Sequence, residues 1–184
     1  DIFGAASSFT CGVTSIVDRE ELDVERWYAL LERENVSVWY TAPTAIRMLM
    51  KAGAEPACNH RFPNLRHIAS VGEPLNPEAV MWGTDTFGLP VHDTWWQTET
   101  GAIMIANFKC DSVWPGAMGR PLPGIEAAIA QRDESGKVQL LGDNEVGEIA
   151  LRAGWPSMFV GYLGNKERYE KCFADGWYFS GDQA

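Results

Sequence analysis

Leu65-Arg66-His67-Ile68-Ala69-Ser70-Val71-Gly72-Glu73-Pro74-Leu75-Asn76-Pro77-Glu78, residues 65–78, carries a strand, a loop and the opening turn of a helix in one stretch. Leu65 to Val71 reads as the strand. Asn76 stands at a helix N-cap, Pro77 suits the first helical position because its missing N–H needs no partner there, and Glu78 complements the positive end of the helix dipole. The same grammar recurs on both sides. Upstream, Val36 to Thr41 reads as a strand, and Pro43 then opens a helix with apolar Ile46, Leu49 and Met50 and a stop at Gly53. Before that, Phe9 to Val17 is β-branched enough for a strand, and Val24, Trp27, Tyr28 and Leu31 recur at helical spacing behind an Asp23 cap. Pro90 to Asp93 reads as a fourth short strand. This alternation predicts an α/β fold with a mostly parallel sheet flanked by helices.

After Gly101 the pattern changes. Gly and Pro cluster at Pro115-Gly116 and Pro121-Leu122-Pro123-Gly124, and period-two strands take over. Ile125, Ala127 and Ile129 share one face, followed by Val138–Leu141 and Glu148–Leu151, with turns at Ser135-Gly136 and Gly142-Asp143-Asn144. A short helix at Lys166 to Cys172 leads to a strand at Trp177 to Ser180. The expected organisation is residues 1–107 as part of an α/β subdomain and 108–184 as a smaller antiparallel β-rich subdomain.

With 184 residues and 46% hydrophobic content, the chain is long enough for a globular α/β core plus a small second lobe. Its formal charge of −10 and lack of a Lys/Arg run argue against nucleic acid or an anionic membrane surface as partner. Cys11, Cys58, Cys110 and Cys172 are too scattered for a zinc site or a compact disulfide framework, so reduced thiols in a cytoplasmic protein are expected. No apolar run is long enough to span a bilayer, and no signal-peptide pattern opens the chain. Asp1 at the start and Gly181-Asp182-Gln183-Ala184 at the end suggest an excised piece of a longer protein. The sequence carries no signal for oligomeric state.

Asp93-Thr94-Trp95-Trp96-Gln97-Thr98-Glu99-Thr100 sets two indoles beside a hydroxyl-rich, acidic turn. The pair either packs a core or backs a flat ring next to phosphate and metal ligands. In an open parallel sheet, ligands bind where loops leave the carboxyl ends of strands. The loops after Val71 and Asp93 therefore rim one crevice if their strands are neighbours, and Gly72 presents bare backbone to a flat ligand. Thr98 either turns the chain or donates to a phosphate oxygen. Glu99 is either a solvated carboxylate or a ligand for Mg²⁺, which one or two carboxylates plus phosphate oxygens commonly hold. Asp182 is either a turn residue or an acceptor for two ribose hydroxyls. His60, His67 and His92 lack metal-ligand spacing and read as structural or surface residues. Neither a lysine-bearing phosphate loop nor GxGxxG is present.

Taken together, Tyr40–Arg47, Ser70–Glu78, Asp93–Gly101, Gly147-Glu148-Ile149 with Gly161-Tyr162-Leu163, and Trp177–Asp182 resemble the AMP-forming adenylating enzymes, and among them the acetyl-CoA synthetase group. The five segments occur in the family order and cover essentially the whole chain. The resemblance implies a two-step ligase reaction. Acetate attacks the α-phosphate of Mg·ATP to give acetyl-adenylate and pyrophosphate, and the thiol of CoA then displaces AMP. By similarity, Gly72, Glu73 and Pro74 border the adenine with Asp93, Thr94 and Trp95, and Gln97 joins the nucleotide set. Thr98 contacts the α-phosphate, Glu99 the magnesium and Asp182 the ribose, with Thr98 and Glu99 as the catalytic pair. Val71 and Trp96 wall the acyl pocket, and Ala42 lies on the CoA path.

The family's phosphate loop is expected upstream of Asp1, and its hinge and C-terminal domain, with the adenylation lysine, downstream of Ala184. The isolated chain is therefore expected not to turn over. Two other readings are a propionate or other short-chain acyl-CoA synthetase and a non-catalytic nucleotide-binding or scaffold module.

Overall fold

Three short parallel strands lie side by side in the first sheet: β1 (Val38–Thr41), β2 (His67–Ser70) and β3 (Val91–Trp95), with Val38 opposite His67 and Ile68 opposite Val91. The computed structural model describes residues 11–133 and 135–184. β4 (Ile105–Ala106) and β5 (Arg120–Pro121) complete the sheet in the order β1-β2-β3-β4-β5, β4 running antiparallel to β3. The intervening chain forms α1 (Val24–Arg33), α2 (Pro43–Ala52), the single turn α3 (Glu55–Cys58) and α4 (Pro77–Phe87).

Local chemistry explains the helix ends. Asp23 takes extended backbone and its carboxylate accepts the Arg26 N–H at 2.8 Å, while Gly53 closes α2 with φ +86°. Asn76 occupies the expected cap position but makes no capping bond; its amide donates to Glu78 Oε2 at 2.8 Å instead. The helices bury Tyr28, Leu31, Ile46, Leu49, Ala79 and Val80 with Trp39, Ile68 and Val91 of the strands. Edge-on aromatic packing joins the layers, with Trp39 and Phe87 5.8 Å apart between ring centroids.

The strand expected over 9–17 is not found where it can be assessed. Residues 9–10 lie outside the described residues, and Cys11–Val17 is irregular and exposed. β-branched side chains favour a strand only where a neighbour and a buried face complete it. β3 in turn runs past Asp93 to Trp95, because Thr94 and Trp95 pair with Ala106 and Ile105.

The second sheet is antiparallel, in the order β7 (Val138–Leu140), β6 (Ala127–Arg132), β8 (Glu148–Arg152), β10 (Trp177–Gln183) and β9 (Phe173–Ala174). The helix α5 (Lys166–Lys171) precedes β9. Both faces carry apolar cover in the middle of β8, where Ile149, Ala150 and Leu151 are all buried. Ala150 shares one face with Trp177 and Phe179, over whose rings the Arg152 and Arg132 guanidiniums sit at 4.9 and 4.0 Å. Tyr178 lies on the opposite face, opposite Leu151, with Trp155 packed edge-on 5.7 Å away.

The chain forms two compact units. Among the described residues, the first holds 11–96 and 105–120, and the second 97–104, 121–133 and 135–184. The motif over 93–100 is thus shared: Trp96 belongs to the first unit and Gln97 to the second.

Candidate functional site

In the first unit the carboxyl ends of β2 and β3 are neighbours, Ser70 lying opposite Asp93. Val71–Pro74, which follows β2, and Thr94–Trp96, the last two residues of β3 with the one after it, therefore lie at adjacent strand ends, as a ligand-binding edge of a parallel sheet requires. Gly72 has φ +91°, a left-handed conformation that disfavours other residues, and an added Cβ there would meet no atom within 4 Å. Gly72, Glu73 and Pro74 are exposed, and Val71 is half-buried.

A hydrogen-bonded knot holds this edge. Ser70, fully buried, donates its hydroxyl to Asp93 Oδ1 at 3.1 Å, and the Thr94 N–H donates to the same oxygen at 2.9 Å. Thr94 Oγ1 donates to the Ser70 carbonyl at 2.6 Å and lies 3.1 Å from the Tyr40 hydroxyl. Burial pushes the Asp93 carboxyl above the ordinary carboxylate range, an effect opposed by the Ser70 hydroxyl and the Thr94 and Leu75 amides. Burial likewise raises Tyr40, against hydrogen bonds from Thr94 and Trp96. Asn107 accepts the Asp93 N–H at 2.7 Å and donates to the Ala117 carbonyl at 3.0 Å. Tyr40 and Ser70 open two of the segments that carry the family resemblance but are given no role there, and Asn107 lies outside those segments.

Glu73 points its chemistry at α2. Its carboxylate accepts from Thr44 Oγ1 at 2.7 Å and from Arg47, and Thr44 first, Arg47 second, hold it below the usual carboxylate range. Glu73 thus ties the loop after β2 to α2. Ala42 occupies the N-cap position of that helix with extended backbone and is half-buried.

In the second unit, Thr100 anchors the turn over 97–101. It is fully buried, its hydroxyl accepts the Gln97 N–H at 2.9 Å, and its carbonyl accepts from Trp155 Nε1 at 2.9 Å and Ser157 Oγ at 2.7 Å. Gly101, φ +68°, is required here, since a Cβ would stand 2.3 Å from the Ser157 carbonyl oxygen. The turn leaves Thr98 exposed and Glu99 half-buried. The Tyr162 hydroxyl donates to Glu99 Oε1 at 2.7 Å. Gln97 joins Asp182: its amide nitrogen donates to Asp182 Oδ2 at 2.9 Å.

A cleft of about 340 Å³ in this unit is walled by Gln97, Glu99, Tyr162 and Tyr178, with Arg168 and Lys171 also lining it. Burial raises both tyrosines well above their ordinary range, and the Glu99 hydrogen bond raises Tyr162 further. Both phenols therefore stay protonated as donors near neutrality. Among the described residues, no group of three His, Cys, Asp or Glu is placed to hold a metal. A single carboxylate, Glu99, held by a neutral donor, still suits magnesium that takes most of its ligands from phosphate and water.

The comparisons with known proteins agree with this architecture. The AMP-binding enzyme family matches residues 2–163. The chain belongs to that family. Within it, the chain is similar to an acetyl-coenzyme A synthetase of Bacillus subtilis, 45% identical over 184 residues, covering 100% of this chain and 32% of that protein. It is also similar to an acetyl-coenzyme A synthetase of Methanothrix thermoacetophila, 42% identical over 172 residues, covering 88% of this chain and 26% of the relative. A crystal structure of a Brucella canis acyl-CoA synthetase superposes with a TM-score of 0.82 at 33% identity, covering 96% of this chain and 32% of that one. The chain thus spans about a third or less of the proteins it matches. Among the described residues no helix is long and apolar enough to cross a membrane.

Proposed function

We propose that this AMP-binding family chain is the nucleotide- and acyl-recognising part of an acetate–CoA ligase. The observation that carries the reading is the adjacency of β2 and β3, Ser70 opposite Asp93, with Val71–Pro74 following β2 and Trp96 following β3. The similarity to two acetyl-coenzyme A synthetases supports acetate as the acid. Residues 1–107 are proposed as part of the α/β subdomain and 108–184 as the β-rich subdomain, a division by chain order that differs from the compact units at 97–104 and 108–120.

In the first step an acetate oxygen attacks the α-phosphorus of ATP, the bond to the β-phosphate oxygen breaks, and pyrophosphate leaves with the electron pair. In the second, the CoA sulfur attacks the acyl carbon and AMP departs, the thiol proton passing to solvent. Gly72, Glu73 and Pro74 border the adenine with Asp93, Thr94 and Trp95, and Gln97 belongs to the nucleotide set. Thr98 donates to the α-phosphate and Asp182 accepts from the ribose. Glu99 holds magnesium, which neutralises phosphate charge when bound. Val71 and Trp96 wall the acyl pocket, and Ala42 borders the CoA path. The four described cysteines are free thiols, which supports a reducing, cytoplasmic setting.

Exchange of labelled pyrophosphate into ATP tests this. The intact protein of which this chain is a part is expected to catalyse exchange when acetate is present and more weakly with propionate; no exchange with any short-chain acid would refute the ligase reading. The 184-residue chain alone is expected to show none, because each absent phosphate-stabilising donor costs about 10²–10³ in rate.

A further inference from the structure

The carboxamide of Gln97 has both of its N–H groups and its carbonyl committed within the second unit. Its Oε1 accepts the Tyr178 hydroxyl at 2.7 Å, and its Nε2 donates to the Ser180 carbonyl and to Asp182 Oδ2, each at 2.9 Å. The opposite amide orientation would set Oε1 against two acceptors at once, so the network determines which end is which.

The residues that Gln97 grips form a bulge. Pairing between β10 and β8 passes from Phe179 opposite Ala150 to Gln183 opposite Glu148, so Ser180, Gly181 and Asp182 stand against Ile149 alone. A bulge re-aims side chains and removes ladder partners from the backbone. Here substitutes are supplied: the Gly181 N–H donates to Glu148 Oε1 at 2.7 Å, the Asp182 N–H to Ser180 Oγ at 3.0 Å, and the Ser180 carbonyl accepts from Gln97. Gly181, at φ +82°, permits the turn. Asp182 itself is exposed, and the Gln97 amide restricts the rotamers open to its carboxylate.

From this we infer that Gln97 is a positioning residue that selects the ribose of the nucleotide: it holds one oxygen of Asp182 so that the carboxylate meets two vicinal hydroxyls already oriented, with Tyr178 setting the amide. The inference rests on the reading of Asp182 as the ribose acceptor. Each carboxylate oxygen has two lone pairs, so Oδ2 can accept from Gln97 and from a hydroxyl together. Preorganisation of this kind appears as affinity because the ordering cost is not met at binding.

The test uses the full-length protein and two unreactive probes, 5′-O-(N-acetylsulfamoyl)adenosine and its 2′,3′-dideoxy form, compared by calorimetry. Wild type is expected to prefer the ribose form. Gln97→Glu keeps the size but sets a carboxylate against Asp182. It should cut that preference about tenfold, the ribose form losing more affinity than the dideoxy form. Tyr178→Phe, which keeps the ring, should cut the preference by a smaller factor, and Gln97→Glu should cost nothing more in an Asp182→Asn background. Equal loss of affinity for both probes in Gln97→Glu and Tyr178→Phe would mean a merely structural role and overturn the inference, as would an unchanged ratio. If wild type itself binds the two probes equally, the ribose role of Asp182 fails first and the inference falls with it.

Discussion

The Tyr162 hydroxyl and the Glu99 carboxylate, 63 residues apart in the chain, meet in a 2.7 Å hydrogen bond. The pair is held from outside: the Phe159 N–H donates to the Glu99 carbonyl at 3.0 Å, and the Arg168 guanidinium lies 4.3 Å above the Tyr162 ring. If Glu99 binds magnesium, Tyr162 orients that ligand. In the full-length protein, Tyr162→Phe is expected to raise the magnesium concentration for half-maximal ATP–pyrophosphate exchange by about tenfold. An unshifted magnesium titration would show that Tyr162 does not serve the metal.

Trp96 follows β3, and its side chain hydrogen-bonds the Tyr40 hydroxyl. In its proposed role as a wall of the acyl pocket it would exclude longer acids, since forcing extra methylenes into filled space costs about 1–3 kcal/mol. Trp96→Gly in the full-length enzyme should therefore move the kcat/KM preference from acetate towards butyrate and longer acids. Retention of the wild-type acetate-to-butyrate ratio would remove Trp96 from the pocket. Selectivity for a single methylene is only about 1–3 kcal/mol, so wild type should keep measurable activity on propionate.

His67 and His92 bring their rings to 4.4 Å between centroids. Burial first, then the neighbouring charges of His92, Lys109 and Arg66, lower His67 to about 4, and burial also lowers His92. In the unfolded chain both take up protons near the ordinary 6.5. Their neutral burial thus contributes stability that is complete above that value and is lost as pH falls towards 4. His60 has the opposite sense: bonds to Glu32 first and Glu25 second raise it, so its contribution is full below 6.5 and fades as pH rises through its folded value. Denaturant unfolding at stepped pH should show stability falling between 6.5 and 4. His67→Gln should flatten that fall, and an equal slope in both proteins would contradict the assignment.

Gly119 adopts φ +97°, and a Cβ there would stand 2.1 Å from the Ala106 carbonyl oxygen and 2.5 Å from the Asn107 nitrogen. Both near atoms are backbone, so relief requires moving the segment that holds Asp93. Gly119→Ala is expected to destabilise the fold by at least about 2 kcal/mol, from overpacking and backbone strain together. A denaturation midpoint within error of wild type would show that the segment yields freely.

The α/β pattern was legible because its signals are local. The Asp23 cap, the prolines opening α2 and α4, and Gly53 closing α2 act within a few residues, and all of these helices form. The change to antiparallel strands after the Gly- and Pro-rich segment was legible for the same reason. The strand expected over 9–17 shows the limit of such reasoning: Cys11–Val17 has the composition but no strand, since β-structure depends on a partner. Two-residue β4 shows the converse, carrying no pattern of its own yet extending β3 through Thr94 and Trp95.

The candidate site divides along the same line. Sequence alone determined which residue types stand together over 70–78, 93–101 and 177–182, and hence the family and the kind of chemistry they suit. Only the tertiary structure decided their partners: Thr44 and Arg47 for Glu73, Tyr162 for Glu99, and Gln97 for Asp182. A helix cap or turn is set by neighbouring φ and ψ angles. A hydrogen bond between residues 85 positions apart, as between Gln97 and Asp182, forms only after sheet pairing and the β10 bulge have brought the two groups together.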